Sequence, residues 1–350
     1  MNLRNMSIPR RLTGAKHSIK SDTFLTSSGI PSLDSFIGGG FAIGSIILIE
    51  SDIHETYANQ LVSLFTAEGL VSGHNFIYCA TEKLDNLFSR LPDVAASSDP
   101  PIPSSDEFKI AWRYQAMRDL EQTGPSSLSV GHYFDLCKLM DTDARIKERD
   151  LLVTHFAPQP TNSLQENLSN MIKTVYTFCH EKKAPVDNIR RIVLHSLFSP
   201  CWGFVSNMKT FDRLVLKCFI SLRLMLQNTL SVALVTLPRL EPGLTSRLRH
   251  YADYVFSLKG FDGIESRNPL YEEYDGLMTA IQLPWLGSSL EPAARPTTLE
   301  WAFKMKRRQF VLQHLHLPPC LSNTVSRSNA TEAILSCAKI PGTDVSAIDF

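Results

Sequence analysis

Short apolar runs alternate with amphipathic stretches from position 45 onward. The run at 45–50 predicts a buried strand, because consecutive apolar residues follow a glycine-rich entry. The next stretch has the spacing of a helix that ends at Gly69 as its C-cap. The apolar face of this helix would hold Tyr57, Leu61, Leu64 and Phe65. A second apolar run at 75–80 completes a β-α-β unit, so its two strands are expected to lie parallel.

The same alternation continues through the second half of the chain. Ser163 and Glu166 form a capping box, which predicts a helix with one apolar stripe. That stripe comprises Leu164, Leu168, Ile172, Val175 and Cys179. Two further strands at 191–196 and 231–236 enclose a helix that buries Met208, Phe211, Val215, Phe219, Leu222 and Leu226. Runs at 254–258, 277–281 and 303–312 are candidates for additional edge strands.

Strands that alternate with helices of this length indicate the α/β class. We expect a mostly parallel β-sheet with helices on both faces and ligands at the carboxyl ends of the strands. One domain over 25–320 accounts for the pattern, with 92–105 as a Pro- and Ser-rich flexible loop. Residues 1–24 are interpreted as a disordered basic tail, with an organellar transit peptide as the alternative. Residues 321–350 are interpreted as a polar C-terminal tail.

The overall charge and the cysteines limit the classes of function. Lys and Arg together number 35, and Asp and Glu together also number 35, so the chain has no net charge. Any nucleic-acid binding must therefore come from a local basic patch. The cysteines are scattered and form no CxxC pair, which favours a reducing compartment and argues against a metal site. No apolar run approaches the roughly 18 residues that a membrane span requires, so no membrane partner is expected.

The segment after the first predicted strand stands where a P-loop would bind phosphate. A P-loop has the pattern GxxxxGK[ST], in which backbone N–H groups and a lysine hold the phosphates and a hydroxyl holds magnesium. Here the chain reads Ser51, Asp52, Ile53, His54, Glu55, Thr56 and Tyr57. The segment has no glycine or lysine, and its two carboxylates would repel a triphosphate. We therefore expect that this chain alone binds no nucleotide.

Other catalytic candidates are weak as well. A P-loop ATPase also has an acidic residue of its magnesium site at the end of a later apolar strand. In this chain the strand at 191–194 continues into His195 and Ser196, so that acid is missing. Glu82 follows the strand at 75–80. RecA-like ATPases resemble one another in having, at this position, a glutamate that activates water. A glutamate near a helix start is the simpler explanation, because the helix dipole favours it there.

Several motifs resemble those of a known family. The segments GIPSLD at 29–34 and GGGF at 38–41 resemble the entry to the RecA-type ATPase core. The segments IAWRYQ at 110–115, GHYFDL at 131–136 and FKMKRRQF at 303–310 resemble the PAXNEB family, the fourth subunit of the Elongator complex. The resemblance covers most of the predicted domain and implies a RecA-like fold without a P-loop of its own.

The resemblance also implies partners and a cellular role. It implies a hetero-hexameric ring with Elongator subunits five and six, attached to the catalytic and scaffold subunits of the complex. The ring would bind tRNA and support its release while another subunit modifies the wobble uridine. ATP would then bind at ring interfaces, if at all, and the protein would be found in the cytoplasm and also in the nucleus.

Three groups of residues are candidates for contact with RNA or with a neighbouring subunit. The first is the basic run Lys304, Lys306, Arg307 and Arg308, which a solvated strand face explains equally well. The second is Arg247 and Arg249, which follow a predicted strand and could reach RNA or a neighbour's nucleotide. The third is Trp112, Arg113 and Tyr114, which are typical of interface anchors and less often of a base-stacking platform.

Three hypotheses of function follow, in descending order. The first is a non-catalytic ring subunit that acts on tRNA together with partners. The second is an ATPase that is completed at a subunit interface through Glu82. The third is a DNA-dependent recombination factor of the RecA type.

Overall fold

The computed structural model describes residues 12–18, 23–95, 131–181, 188–261, 271, 273–286, 296 and 298–315. The strands are β1 (Ala15–Ser18), β2 (Thr23–Thr26), β3 (Phe41–Ala42), β4 (Ile46–Glu50), β5 (Asn75–Cys79), β6 (Pro92–Val94), β7 (Phe134–Leu139), β8 (Val153–Phe156), β9 (Arg190–Leu194), β10 (Ser231–Leu237), β11 (Tyr254–Gly260), β12 (Gly276–Gln282), β13 (Glu300–Lys306) and β14 (Gln309–His314). The helices are α1 (Pro31–Phe36), α2 (Thr56–Ser72), α3 (Leu84–Phe88), α4 (Thr142–Arg149), α5 (Leu164–Cys179), α6 (Met208–Leu226) and α7 (Pro242–Arg249).

A nine-stranded sheet organises the described part of the chain, in the order β14-β13-β12-β11-β4-β10-β9-β5-β8. The strands from β11 to β8 are parallel. Strands β12, β13 and β14 continue the sheet in antiparallel pairs. Helix α2 carries the chain from β4 toward β5, whereas α7 carries it from β10 across β4 to β11. The connections through α2 and α7 therefore leave the sheet in opposite directions. Where neighbouring connections diverge in this way, a crevice opens at the carboxyl end of the strands, here at β4.

Helices cover both faces of this sheet, as the sequence pattern predicted. Strand β4 shows the division, since Ile47 and Ile49 pack with α2 in one core cluster. Ile46 and Leu48 point to the other face and pack with α5 and α6. The capping box of Ser163 and Glu166 begins α5 as expected. The α/β class with a mostly parallel, RecA-like sheet is confirmed.

The predicted end of α2 was wrong. The helix continues through Gly69 and ends at Gly73, whose φ of 78° is left-handed. Gly69 has a different role, because a Cβ on it would lie 2.6 Å from Cδ of Arg191. The glycine lets this arginine of β9 lie directly against the helix, a long-range requirement that local spacing does not show.

All three predictions about edge strands need correction. The segments 254–258 and 277–281 belong to β11 and β12, which both lie inside the sheet. The segment 303–312 forms two strands, since β13 and β14 pair as a hairpin with Arg307 and Arg308 in the turn. A tight turn without Gly, Pro, Asn or Asp gives no local signal for a break in the alternation.

The predicted tail and loop are partly ordered. Strand β1 lies within the predicted tail of 1–24 and pairs antiparallel with β2, while Leu12 is buried. The predicted flexible loop of 92–105 begins with β6, which pairs with β7. The rest of that loop and the predicted tail of 321–350 lie outside the described residues. Met208 was predicted to be buried but is exposed, because it is the first residue of α6.

A buried polar network joins the face of α2 to the start of β9. Arg191 is fully buried and donates hydrogen bonds to Nδ1 of His74, the carbonyl of Phe65, Oγ1 of Thr26 and the carbonyl of Ser27, at 2.9–3.0 Å. Its guanidinium lies 4.3 Å from the centroid of the Phe65 ring. The buried carboxylates of Glu68 and Asp34 provide the compensating negative charge. Burial raises the pKa of Asp34 to about 6.

Candidate functional site

The candidate site lies at the carboxyl ends of β4, β9 and β10, where the sheet topology opens its crevice. Its loop runs from Ser51 to Glu55 and leads into α2. The amide of Ser51 donates to the carbonyl of Leu237 at 2.9 Å, which ties the loop to β10. This geometry places the loop where a P-loop would bind phosphate, as the sequence indicated.

The carboxylate of Asp52 accepts the first free amides of α2. Its Oδ2 accepts from the amide of Thr56 at 2.9 Å, and its Oδ1 accepts from the amides of Tyr57 and Ala58 at 3.2 Å. A helix start is favourable for an anion because its amides are unpaired and the helix dipole is positive there. Asp52 is buried, so it supplies internally the negative charge that a phosphate supplies in a P-loop.

The residues at the start of α2 differ from a P-loop in shape as well. Glu55 precedes the helix with a φ of 55°, a left-handed conformation that suits the second glycine of GxxxxGK[ST]. In this register Thr56 and Tyr57 stand at the lysine and hydroxyl positions. The Tyr57 ring packs against Phe303 with centroids 4.6 Å apart. An aromatic ring therefore stands where a P-loop has its magnesium-binding hydroxyl.

A hydrogen bond connects this loop to the end of β9. Ser196 Oγ donates to Oε1 of Glu55 at 2.9 Å, and both residues have positive φ angles. The amide of Ser196 donates to Oγ1 of Thr236 at 2.7 Å, and Nδ1 of His195 lies 2.9 Å from the same oxygen. The site thus joins β4, β9 and β10 through side chains of this chain.

His195 is neutral at physiological pH. Burial lowers its pKa to about 4, with the nearby Glu82 and Arg90 acting in opposite directions. The ring stacks at 6.2 Å on Tyr78, whose pKa is raised chiefly by burial. A buried neutral imidazole offers no charge to a phosphate or a metal-bound water.

Glu82 is held in an ion pair. Its two carboxylate oxygens accept from Nη1 and Nη2 of Arg90 at 2.9 and 2.8 Å. Oε2 also accepts from the hydroxyl of Tyr78 at 3.0 Å. Glu82 directly precedes Lys83, the N-cap of α3, so it also lies at a helix start. The partners of Glu82 account for its position, and its catalytic role stays a prediction.

The candidate arginines on α7 form internal ion pairs. Nε and Nη2 of Arg249 lie 2.6 and 2.9 Å from the two oxygens of Glu50. Arg247 is more exposed and lies 3.8 Å from Asp212. The bidentate pair of Arg249 stabilises the end of β4 against α7, and Arg247 is the freer cation of the two.

The basic run lies on the β13–β14 hairpin rather than on one strand. Lys304 is half-buried and lies 3.7 Å from Glu273. Lys306, Arg307 and Arg308 are exposed. The carbonyls of Arg307 and Arg308 accept hydrogen bonds from Cys137 Sγ and the amide of Leu136, so β7 supports the turn. The candidate anchors Trp112, Arg113 and Tyr114 lie outside the described residues.

Neither a metal-binding cluster nor a membrane-spanning helix is present in the part of the chain that the structure describes. No group of three or more His, Cys, Asp or Glu side chains there could hold a metal ion. No helix in the same residues is long and apolar enough to cross a membrane.

Sequence reasoning missed the role of Asp52. The residue was interpreted as a source of repulsion, whereas the structure uses its carboxylate to cap α2. A signal was present, because aspartate is favoured at helix starts. Arg90 and Thr236 were also missed, and neither has a local motif that reveals its long-range contacts.

Replacing Asp52 by alanine is expected to lower the free energy of unfolding by about 2 kcal/mol, because amides of the first turn lose their buried acceptor. Asp52→Asn keeps one acceptor oxygen and should cost about half as much. Urea unfolding of both variants measures the effect. An alanine variant as stable as the parent would show that water replaces the carboxylate without cost.

The fold and the loop together define a RecA-like α/β domain in which the Asp52 carboxylate accepts the first amides of α2. The chain belongs to the PAXNEB family, whose model matches residues 8–350.

Two relatives and one solved structure show what the chain is similar to, and the two relatives agree with this family. The chain is 35% identical to Elongator complex protein 4 of Xenopus laevis, over 91% of this chain and 86% of that protein. It is 31% identical to Elongator complex protein 4 of Homo sapiens, over 97% of this chain and 88% of that protein. A KaiC-like protein from Pyrococcus horikoshii superposes with a TM-score of 0.47 at 15% identity, over 83% of this chain and 99% of that chain.

Proposed function

We propose that this chain is a non-catalytic, RecA-like subunit of the Elongator complex. The names of its relatives support membership of the complex. The observation that carries the non-catalytic role is the carboxylate of Asp52, which accepts the amides that a P-loop would offer to phosphate. A triphosphate would have to displace this buried carboxylate and would meet its charge.

The proposal extends to assembly and substrate. The subunit alternates with two RecA-like subunits, Elongator five and six, in a hetero-hexameric ring. The ring binds tRNA and supports its release during wobble-uridine modification, which another subunit catalyses, in the cytoplasm and the nucleus. This chain holds no cofactor alone, and any ATP binds at interfaces with neighbours.

Nucleotide binding by the isolated full chain tests the non-catalytic role. A fluorescent ATP analogue with magnesium is expected to show no saturable binding up to millimolar concentration. In the assembled complex, Glu82→Gln is expected to leave ATP hydrolysis unchanged, because the Glu82 carboxylate is paired with Arg90. Loss of ATP hydrolysis by the assembled complex on Glu82→Gln would reject this role in favour of an interface-completed ATPase, and hydrolysis by the isolated chain would reject it as well.

The composition of the purified complex tests the ring separately. A tagged form of the chain, recovered from cell extract, should bring two RecA-like proteins of similar size in equal amounts. Recovery of the chain as a monomer, or with a DNA recombination machinery, would reject the Elongator assignment whatever the nucleotide result.

Replacing Lys306, Arg307 and Arg308 by alanine is expected to weaken tRNA binding of the assembled ring about tenfold. These three exposed cations stand together on one supported turn, and each phosphate contact adds to the salt dependence of binding. The slope of log affinity against log salt should fall by about 2.

A matched triple variant provides the control for this prediction. Lys83, Lys147 and Arg239 are exposed cations on other elements, and their replacement by alanine should leave tRNA affinity within twofold. Equal loss in both triples would indicate a general charge effect. If neither triple variant loses tRNA affinity, the hairpin turn is not part of the RNA-binding surface.

A further inference from the structure

An apolar groove runs between α5 and α6 on the outer side of the helix layer. Its lining includes Ile172, Tyr176 and Thr177 of α5 and Ser221, Leu224 and Met225 of α6. Tyr176 is 53% exposed and Leu224 is 58% exposed, so two large side chains of the lining face solvent. The Tyr176 ring stacks on His180 with centroids 4.1 Å apart, which restrains the ring.

A basic stripe continues this groove along α6. Lys209, Arg213 and Lys217 recur every four residues and lie on the helix face that also carries Ile220 and Leu224. All five side chains are exposed. The helix therefore presents one face whose first half is cationic and whose second half is apolar.

Carboxylates do not neutralise the stripe among the described residues. Asp212 is the acid of α6, and it lies 3.8 Å from Arg247. Lys173 of α5 adds a further cation at the groove. The exposed apolar side chains are unfavourable in water, whereas the cations are hydrated. A partner that covers the apolar side chains and presents carboxylates to the cations would complement both parts of the surface.

We propose that this surface binds an acidic amphipathic helix of a partner protein. A groove between two parallel-packed helices suits the helix-in-groove mode, in which apolar residues at i, i+3 and i+7 enter the groove. From Lys209 to Leu224 the surface extends roughly 22 Å at 1.5 Å per residue, so the partner helix spans about 15 residues. One half of that helix carries carboxylates toward Lys209–Lys217, and the other half carries Leu, Ile or Phe toward Leu224.

The apolar half of the groove favours protein over nucleic acid. A phosphate backbone would use the cations of the stripe but would leave Leu224, Ile220 and Met225 in water. An amphipathic helix covers both halves. The proposal is independent of the nucleotide site, because it uses none of the residues at the carboxyl ends of the strands.

Photocrosslinking of the full chain in its native complexes tests the proposal. Leu224→benzoylphenylalanine should crosslink on irradiation to one peptide, and sequencing should show an amphipathic segment with acids clustered at one end. Lys147→benzoylphenylalanine on α4 measures the background. A nuclease-sensitive product, a basic peptide, or no product above background would overturn the proposal.

Charge reversal supplies the second measurement. Lys209→Glu with Lys217→Glu should lower the yield of the Leu224 crosslink at least tenfold. The matched double variant Lys83→Glu with Lys147→Glu should leave the yield unchanged, since these exposed lysines lie on other parts of the surface. Replacing the acids of the crosslinked segment by lysine should restore the yield with the first double variant. An unchanged yield in that variant, or no restoration, would overturn the proposed charge pairing.

Discussion

Replacing Arg191 by methionine is expected to lower the free energy of unfolding by about 3–5 kcal/mol, the usual cost of removing one partner from a buried ionic network. Arg191 donates hydrogen bonds to side chains and carbonyls from β2, α2 and the segments that follow them. Without the guanidinium, Glu68 and Asp34 remain buried with less compensating positive charge. Urea unfolding at pH 7.5 measures the loss.

Arg191→Lys separates charge from geometry. Lysine keeps the positive charge but lacks the planar fork that reaches several acceptors. The free energy of unfolding of the lysine variant should therefore lie between that of the methionine variant and that of the parent. A methionine variant within 1 kcal/mol of the parent would contradict the prediction, because the network would then contribute little to stability.

Acidification from pH 6.5 to 4.5 is expected to lower the free energy of unfolding by about 3 kcal/mol, a net effect of three buried groups. Burial, and secondarily the positive charge of Arg191, lower the pKa of His74 to about 3. Burial likewise lowers the pKa of His195 to about 4. In this range the unfolded chain takes up protons that these folded side chains do not, so unfolding becomes easier as the pH falls.

Asp34 opposes part of this loss. Its pKa in the folded state is raised to about 6, so the folded state takes up a proton as the pH falls through that value. Each histidine changes stability by about 1.4 kcal/mol per pH unit and Asp34 offsets about one such slope below pH 6. The decrease should therefore be shallower below pH 6 than two histidines alone would give.

His195→Asn provides the specific check on acid unfolding. Asparagine does not titrate, so unfolding of this variant should take up about one proton fewer between pH 6.5 and 4.5. The slope of the unfolding free energy against pH should fall by about 1.4 kcal/mol per pH unit. Ser206→Asn, at an exposed position that does not titrate, serves as the control and should leave the slope unchanged. An unchanged slope for His195→Asn would show that this histidine does not remain neutral in the folded state.

The order of strands and helices could be predicted from the chain because each element carries its own periodicity. β4, β5, β9 and β10 are short apolar runs, and the capping box of Ser163 begins α5 where its spacing indicates. The predictions from sequence were wrong where a contact with a distant part of the chain decides the local structure. Gly69 remains inside α2 because Arg191 packs against it, and β11 lies inside the sheet because β12 covers its free edge.

The sequence by itself determined that the loop after β4 lacks the glycine and lysine of a P-loop, since those residue types are required for the chemistry and are absent. Only the tertiary structure decided what replaced them. The Asp52 carboxylate turns back to the amides of α2, and Glu55 binds Ser196 across 141 positions of the chain. The physical reason is that a charge is unfavourable or favourable according to the groups that surround it, and folding brings those groups from remote parts of the chain.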